Sequence, residues 1–144
     1  LAEMLTHPAA MLGLSDAGAH ASQLCDANFA TYLLSHWVRE KGVLTLEQAV
    51  RLLTQRSAEV FGLHGRGRLA SGLAADVVVF DPDRVGTTPL RRVRDLPAGA
   101  DRLIADAIGI DAVVVNGRVI REHNRDRVDP DGPLPGVVLR GGRA

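Results

Sequence analysis

The spacing of apolar residues changes once along this 144-residue chain, near His64, and that change limits what the chain can fold into. Ahead of it the apolar residues recur at helical intervals. Phe29, Tyr32, Leu33 and Trp37 fall at three- and four-residue steps, which predicts a helix over 30–41 with Gly42 as its stop. Thr45 followed by Gln48 has the form of a capping box. Leu46, Ala49, Val50, Leu53, Val60 and Phe61 then line one stripe, predicting a second helix over 45–61 that Gly62 ends. Before both helices, "AAMLGLS" at 9–15 is a short apolar run without helical spacing, bounded by Pro8 and by Asp16-Ala17-Gly18. A buried strand of a parallel sheet is the expectation there.

Beyond His64 the pattern belongs to β-structure. "GRGRLASGLAADVVVFDPD" holds two extended pieces, around 67–70 and 76–80, with a Ser71-Gly72 turn between them. Residues 82–110 are rich in Pro, Gly and Arg and carry little periodicity, the mark of a functional loop or of one that leans on a partner. "DAVVVNGRVIRE" predicts a hairpin about Asn116-Gly117, because Asn-Gly supplies the positive φ angles of a tight turn. In the tail from 123 to 144, "GVVLR" reads as a last edge strand. The order is strand, two helices, then β alone, so the expected class is α/β plus β with a junction near residue 64.

Composition removes several functions. Lys plus Arg and Asp plus Glu both number 17, which argues against nucleic acid and against an anionic membrane as partners. No apolar stretch approaches the roughly 20 residues of a membrane helix. Cys25 stands alone, so no internal disulfide forms and a reducing, cytoplasmic setting is expected. The chain opens on Leu1 with a candidate strand close behind, and is expected to be a piece of a longer protein.

Asp16 directly follows the first apolar run. A carboxylate there is either a turn residue before Ala-Gly or a catalytic group at the mouth of a barrel, and position alone leaves both open. The five histidines, His7, His20, His36, His64 and His123, form no His-x-His or His-x-x-x-His pair, and no Cys cluster accompanies them. A self-contained zinc site is therefore not expected. His36 and Trp37 read as helix packing, and Cys25 as a small buried hydrophobe. Arg91, Arg92, Arg94 and Arg102 surround "DLPAGAD" without a Gly-rich phosphate cradle, which favours a solvated basic loop over an anion site.

Three stretches together, "GLSDAGAH", "LTLEQAVRLLTQRSAEVFGLHGRGRLASGLAADVVVFDPDRV" and "DAVVVNGRVI", resemble the C-terminal part of amidohydrolase-superfamily enzymes. "SDAGAH" and "RDLPAGADRL" point to the N-acyl-D-amino-acid deacylase (D-aminoacylase) branch, and the similarity runs over 6–122. The resemblance implies a metal-dependent TIM barrel flanked by a small β-sandwich. Residues 1–63 become the C-terminal end of the barrel, with its last strand and closing helices; 64–122 become a β-sandwich portion, and 123–144 a tail.

The implied reaction is zinc-dependent hydrolysis of the amide of N-acyl-D-amino acids by a metal-activated water, whose pKa the metal lowers to about 7. The resemblance implies that Asp16 takes the proton of that water and delivers it to the leaving nitrogen, and makes Asp16 a candidate weak metal ligand, direct or through the water. Ser15 and His20 are the substrate-binding candidates. Ser15 orients Asp16 or merely ends the strand; His20 lines the pocket or is an ordinary loop histidine. The family's metal ligands come from earlier strands and have no counterpart here. Zinc is thus expected in the parent but not on this chain alone, which is expected to be inactive by itself. Two other readings stand beside this one: a hydantoinase- or dihydroorotase-like cyclic-amide hydrolase, and a non-catalytic structural or assembly module. The expected partner is the small-molecule substrate, with homo-oligomers forming through unpaired sheet edges.

Overall fold

The computed structural model describes residues 1–13 and 15–141. Its first part is helical: α1 (Ala2–Thr6), α2 (Phe29–Tyr32), α3 (Leu46–Leu53) and α4 (Gln55–Phe61). The helix expected over 30–41 is present, but α2 runs on at Leu33–Glu40 as a π-helix. There the Lys41 amide reaches back five residues to the His36 carbonyl, at 2.9 Å. A local cause sits at its start. The buried Ser35 hydroxyl donates to the Thr31 carbonyl at 3.0 Å, the acceptor an α-helical ladder would use.

Thr45 and Gln48 form the expected reciprocal cap: the Gln48 amide donates to Thr45 Oγ1 (3.2 Å) and the Thr45 amide to Gln48 Oε1 (2.8 Å). The helix expected over 45–61 is two helices, broken at Thr54, whose φ of −127° and ψ of −85° are not helical. The cause lies farther along the chain. A Cβ on Gly67 would fall 2.7 Å from Ala58 Cβ and 3.2 Å from the Thr54 carbonyl, so the backbone of the 64–67 turn seats directly on the break. Gly62 ends α4 in the left-handed conformation, as expected.

The second part is antiparallel. Strands β1 (Val77–Phe80), β6 (Ile110–Val115), β7 (Arg118–Glu122) and β8 (Arg125–Asp126) form one sheet in the order β1-β6-β7-β8. The β6–β7 turn has positive φ at both Asn116 (46°) and Gly117 (79°), as the Asn-Gly pair predicts. Asp76 secures it, accepting from the Asn116 amide at 2.8 Å while pairing with Arg66.

Residues 82–110, expected to be irregular, contain four short strands. β2 (Gly86–Thr87) pairs with β5 (Ala107–Ile108), and β3 (Arg91–Val93) pairs with β4 (Arg102–Ile104). Thr87 pairs with Ala107 and Arg91 with Ile104, so the two ladders form one arm, slipped by a single residue between them. Strands of two or three residues are too short to show alternation in sequence.

Three expected strands are absent among the described residues. Among the described residues of 9–15 none lies in a strand, and Leu14 falls outside the described residues. A strand is held by ladder bonds to a neighbour, and no described strand lies alongside. Instead the Ala10 carbonyl accepts from Arg56 Nε at 3.3 Å, and Leu12 packs on the core. The 67–70 piece fails because Gly67 sits at φ +84°, outside the extended region. "GVVLR" contributes only an isolated bridge at Arg140. No described helix is long and apolar enough to cross a membrane.

Helices and sheet share one buried cluster of Leu33, Leu34, Leu44, Ala49 and Val85, with Trp37, Phe80 and Ile110 packed against it. Arg39 reinforces the junction, donating through Nη1 to the Val85 carbonyl at 2.7 Å and to the Pro82 carbonyl at 3.1 Å. Gly109 lets the backbone close over Val85: its φ is +71°, and an added Cβ would lie 2.6 Å from the Val85 nitrogen. Gly109→Ala is therefore expected to destabilise the chain by about 2–4 kcal/mol, from overpacking plus left-handed strain, in denaturant titration.

Candidate active site

The apolar run leads into a loop, residues 15–28, that carries all three candidate side chains. Ser15 turns its hydroxyl to its own backbone, accepting from the Ala17 amide at 3.3 Å. The Asp16 amide donates to Asp26 Oδ2 at 3.2 Å, so a carboxylate ten residues on draws the two ends of the loop together. The Asp16 carbonyl accepts from Ala19 at 3.1 Å, and the chain reverses at His20. His20 holds a φ of +128°, unusual for a residue with a Cβ, and its carbonyl accepts from Gln23 (2.7 Å) and Leu24 (2.9 Å).

Asp16 and His20 are exposed and Ser15 is half-buried. One loop thus carries the three residues, yet among the described residues no hydrogen bond or ion pair joins their side chains. Asp16 lines neither of two shallow concavities, one beside His7, Arg51 and Arg56 and the other beside Glu59, His64 and Arg68. His36 packs as expected, stacked on Tyr32 at 4.8 Å with Trp37 edge-on at 5.1 Å, and meets Glu40 Oε2 at 2.8 Å. Among the described residues no group of three or more His, Cys, Asp or Glu side chains is placed to hold a metal ion. The described side chains therefore do not form a complete zinc site, and among them Asp16 has no companion ligands.

The loop lies along the β2–β5 arm. Asn28 Nδ2 donates to Thr87 Oγ1 at 3.0 Å near the root of the arm. Farther out, the Leu103 amide donates to the Ala21 carbonyl at 2.8 Å, and Arg92 Nη2 to the Ser22 carbonyl at 3.0 Å. Arginines on the arm pair with its own carboxylates: Arg91 with Asp106 (3.0 Å), Arg92 with Asp101 (3.0 Å) and Arg102 with Asp95 (2.7 Å). Those pairs account for three of the four arginines around "DLPAGAD" as internal braces. Asp26 and Arg92, which hold the loop, were invisible in the sequence because backbone amides and carbonyls are their partners.

The model of the amidohydrolase family matches residues 1–121, and the chain belongs to that family. Within it, the chain is similar to the N-acyl-D-glutamate deacylase of Alcaligenes xylosoxydans xylosoxydans, 43% identical over 110 residues, covering 76% of this chain and 20% of that protein. Among solved structures it resembles the N-acyl-D-glutamate deacylase of Bordetella bronchiseptica complexed with zinc and a phosphonate inhibitor. The identity there is 40% and the TM-score 0.54, covering 76% of this chain and 20% of the other. A D-aminoacylase crystal structure matches at 32% identity and a TM-score of 0.54, over 69% of this chain and 19% of that one. The chain thus spans about one fifth of the length of the relatives it matches.

The Arg102 hydrogen bonds hold the Asp95 carboxyl below its ordinary value of 3.8. A lowered folded-state pKa contributes stability above the ordinary value, and that contribution is lost as pH falls through the folded value. Carboxyl NMR titration is expected to place Asp95 below 3.8, and Arg102→Met to return it to the ordinary range.

Proposed function

We propose that this chain is a segment of an enzyme that hydrolyses the amide bond of N-acyl-D-amino acids. The observation that carries the reading is its likeness, over three quarters of its length, to a deacylase for N-acyl-D-glutamate. In this reading residues 1–63 are the C-terminal end of a TIM barrel, 64–122 are part of a β-sandwich, and 123–144 are a tail. Asp16 is the proton carrier: its carboxylate accepts a proton from the attacking water and returns it to the departing nitrogen. Ser15 shapes the turn under Asp16, and His20 stands on the substrate side of the loop. The zinc ligands and the rest of the substrate pocket belong to residues beyond this fifth of the enzyme, and the chain alone is expected to be inactive. The outer edges of β1 and β8 pair with no described strand, which supports association through those edges. The lone Cys25 supports a reducing, cytoplasmic setting.

The test is an exchange of segments. Residues 1–121 replace the corresponding part of the Bordetella deacylase, and hydrolysis of N-acetyl-D-glutamate is followed. A folded, zinc-loaded chimera is expected to turn over, with Asp16→Asn lowering kcat by about 10²–10⁴-fold. Turnover untouched by Asp16→Asn in that chimera overturns the assignment.

A further inference from the structure

Asp16 sits on an exposed loop, and proton transfer demands placement of the carboxylate to within about half an ångström. Within the loop, Asp26 ties its ends together and a few turn bonds shape it. None of these fixes the loop against the rest of the molecule. That is done by the arm, through a repeated geometric feature. Arg92 and Leu103 are direct partners across the β3–β4 ladder. Their donors take two consecutive loop carbonyls: the Leu103 amide takes Ala21 and the Arg92 guanidinium takes Ser22.

The guanidinium is itself aimed. Its Nη1 pairs with Asp101 at 3.0 Å while Nη2 reaches Ser22, so one planar fork bridges the arm and the loop. The arm is closed beyond this point by the two-bond pair of Arg102 and Asp95. At the root, Asn28 and Thr87 join loop to arm a third time. The 82–110 stretch leans on the loop that carries Asp16.

We propose that the Arg92–Leu103 pair clamps the Asp16 loop and that Arg92 is a positioning residue for proton transfer by Asp16. The inference rests on the role proposed for Asp16 above. Arg92 touches no reacting atom in this scheme; it acts by holding the Ser22 carbonyl, six residues beyond Asp16. Lysine places its charge at one point and cannot bridge Asp101 and Ser22 together, so it replaces arginine only in part.

Two measurements test the clamp. In the 144-residue chain, amide exchange at Leu103 is expected to rise at least tenfold in Arg92→Ala, less in Arg92→Lys, with the β6–β7 amides unchanged. Asp101→Asn keeps the guanidinium but removes its aim, and is expected to give a smaller rise. In the Bordetella chimera, Arg92→Ala is expected to lower kcat by about 10–100-fold with KM within about twofold, and Arg92→Lys to recover part of the loss. Unchanged Leu103 exchange in both Arg92→Ala and Asp101→Asn overturns the clamp. If kcat survives Arg92→Ala while Asp16→Asn abolishes turnover, the positioning role is wrong and the deacylase reading stands. If Asp16→Asn is without effect, the deacylase reading fails and the positioning role with it, while the exchange data still decide the clamp.

Discussion

Val85 is completely buried between the helices and the sheet, and the positions of the other parts follow from that contact. It packs in one cluster with Leu33, Leu34 and Leu44, receives Arg39 on its carbonyl, and is overlain by Gly109. Full burial of such a side chain stabilises by about 1.5–3 kcal/mol, more than any one exposed ion pair in this molecule contributes. The next residue, Gly86, opens β2, so the arm starts directly from the buried cluster. Geometry set in the core is thereby carried outward along two strands to a surface loop.

Ion pairs on the arm work differently from the core. Each is open to solvent on at least one side, with Asp101 half-buried, and pairs so screened add little to stability. Their effect is directional. Asp95 engages Arg102 through both oxygens, and Asp101 fixes the plane of Arg92. A hairpin of two- and three-residue strands has few ladder bonds, and these charged braces supply the stiffness its backbone lacks.

How much of this could be read from sequence follows the range of the interaction. The Thr45–Gln48 cap, the Gly62 stop and the Asn116-Gly117 turn involve residues at most three apart, and all three are formed as their residue types dictate. The break at Thr54 is set by Gly67, thirteen positions on, and the helical stripe gives no sign of it. The apolar run at 9–15 has the composition of a strand, but composition cannot provide the neighbour that a strand pairs with. At the site, Asp16 was legible as a carboxylate following an apolar run. Asp26, Arg92 and Leu103 were not, because a backbone amide or carbonyl presents the same partner whatever the residue type.

The carboxylates of the loop and arm differ in one respect that bears on chemistry. Asp26 accepts the Asp16 amide, Asp95 is held by Arg102, Asp101 by Arg92 and Asp106 by Arg91. Among the described residues, the Asp16 carboxylate alone of these five accepts no hydrogen bond and meets no cation. The Arg102 hydrogen bonds stabilise Asp95 as the anion and hold its carboxyl below the ordinary range. The arm and loop therefore do two things together: they give each neighbouring carboxylate an internal partner, an arginine for Asp95, Asp101 and Asp106 and a backbone amide for Asp26, and they brace the backbone beneath Asp16. That division of labour suits the role proposed for Asp16, and its loop-to-arm contacts join residues 59 to 82 positions apart in the chain.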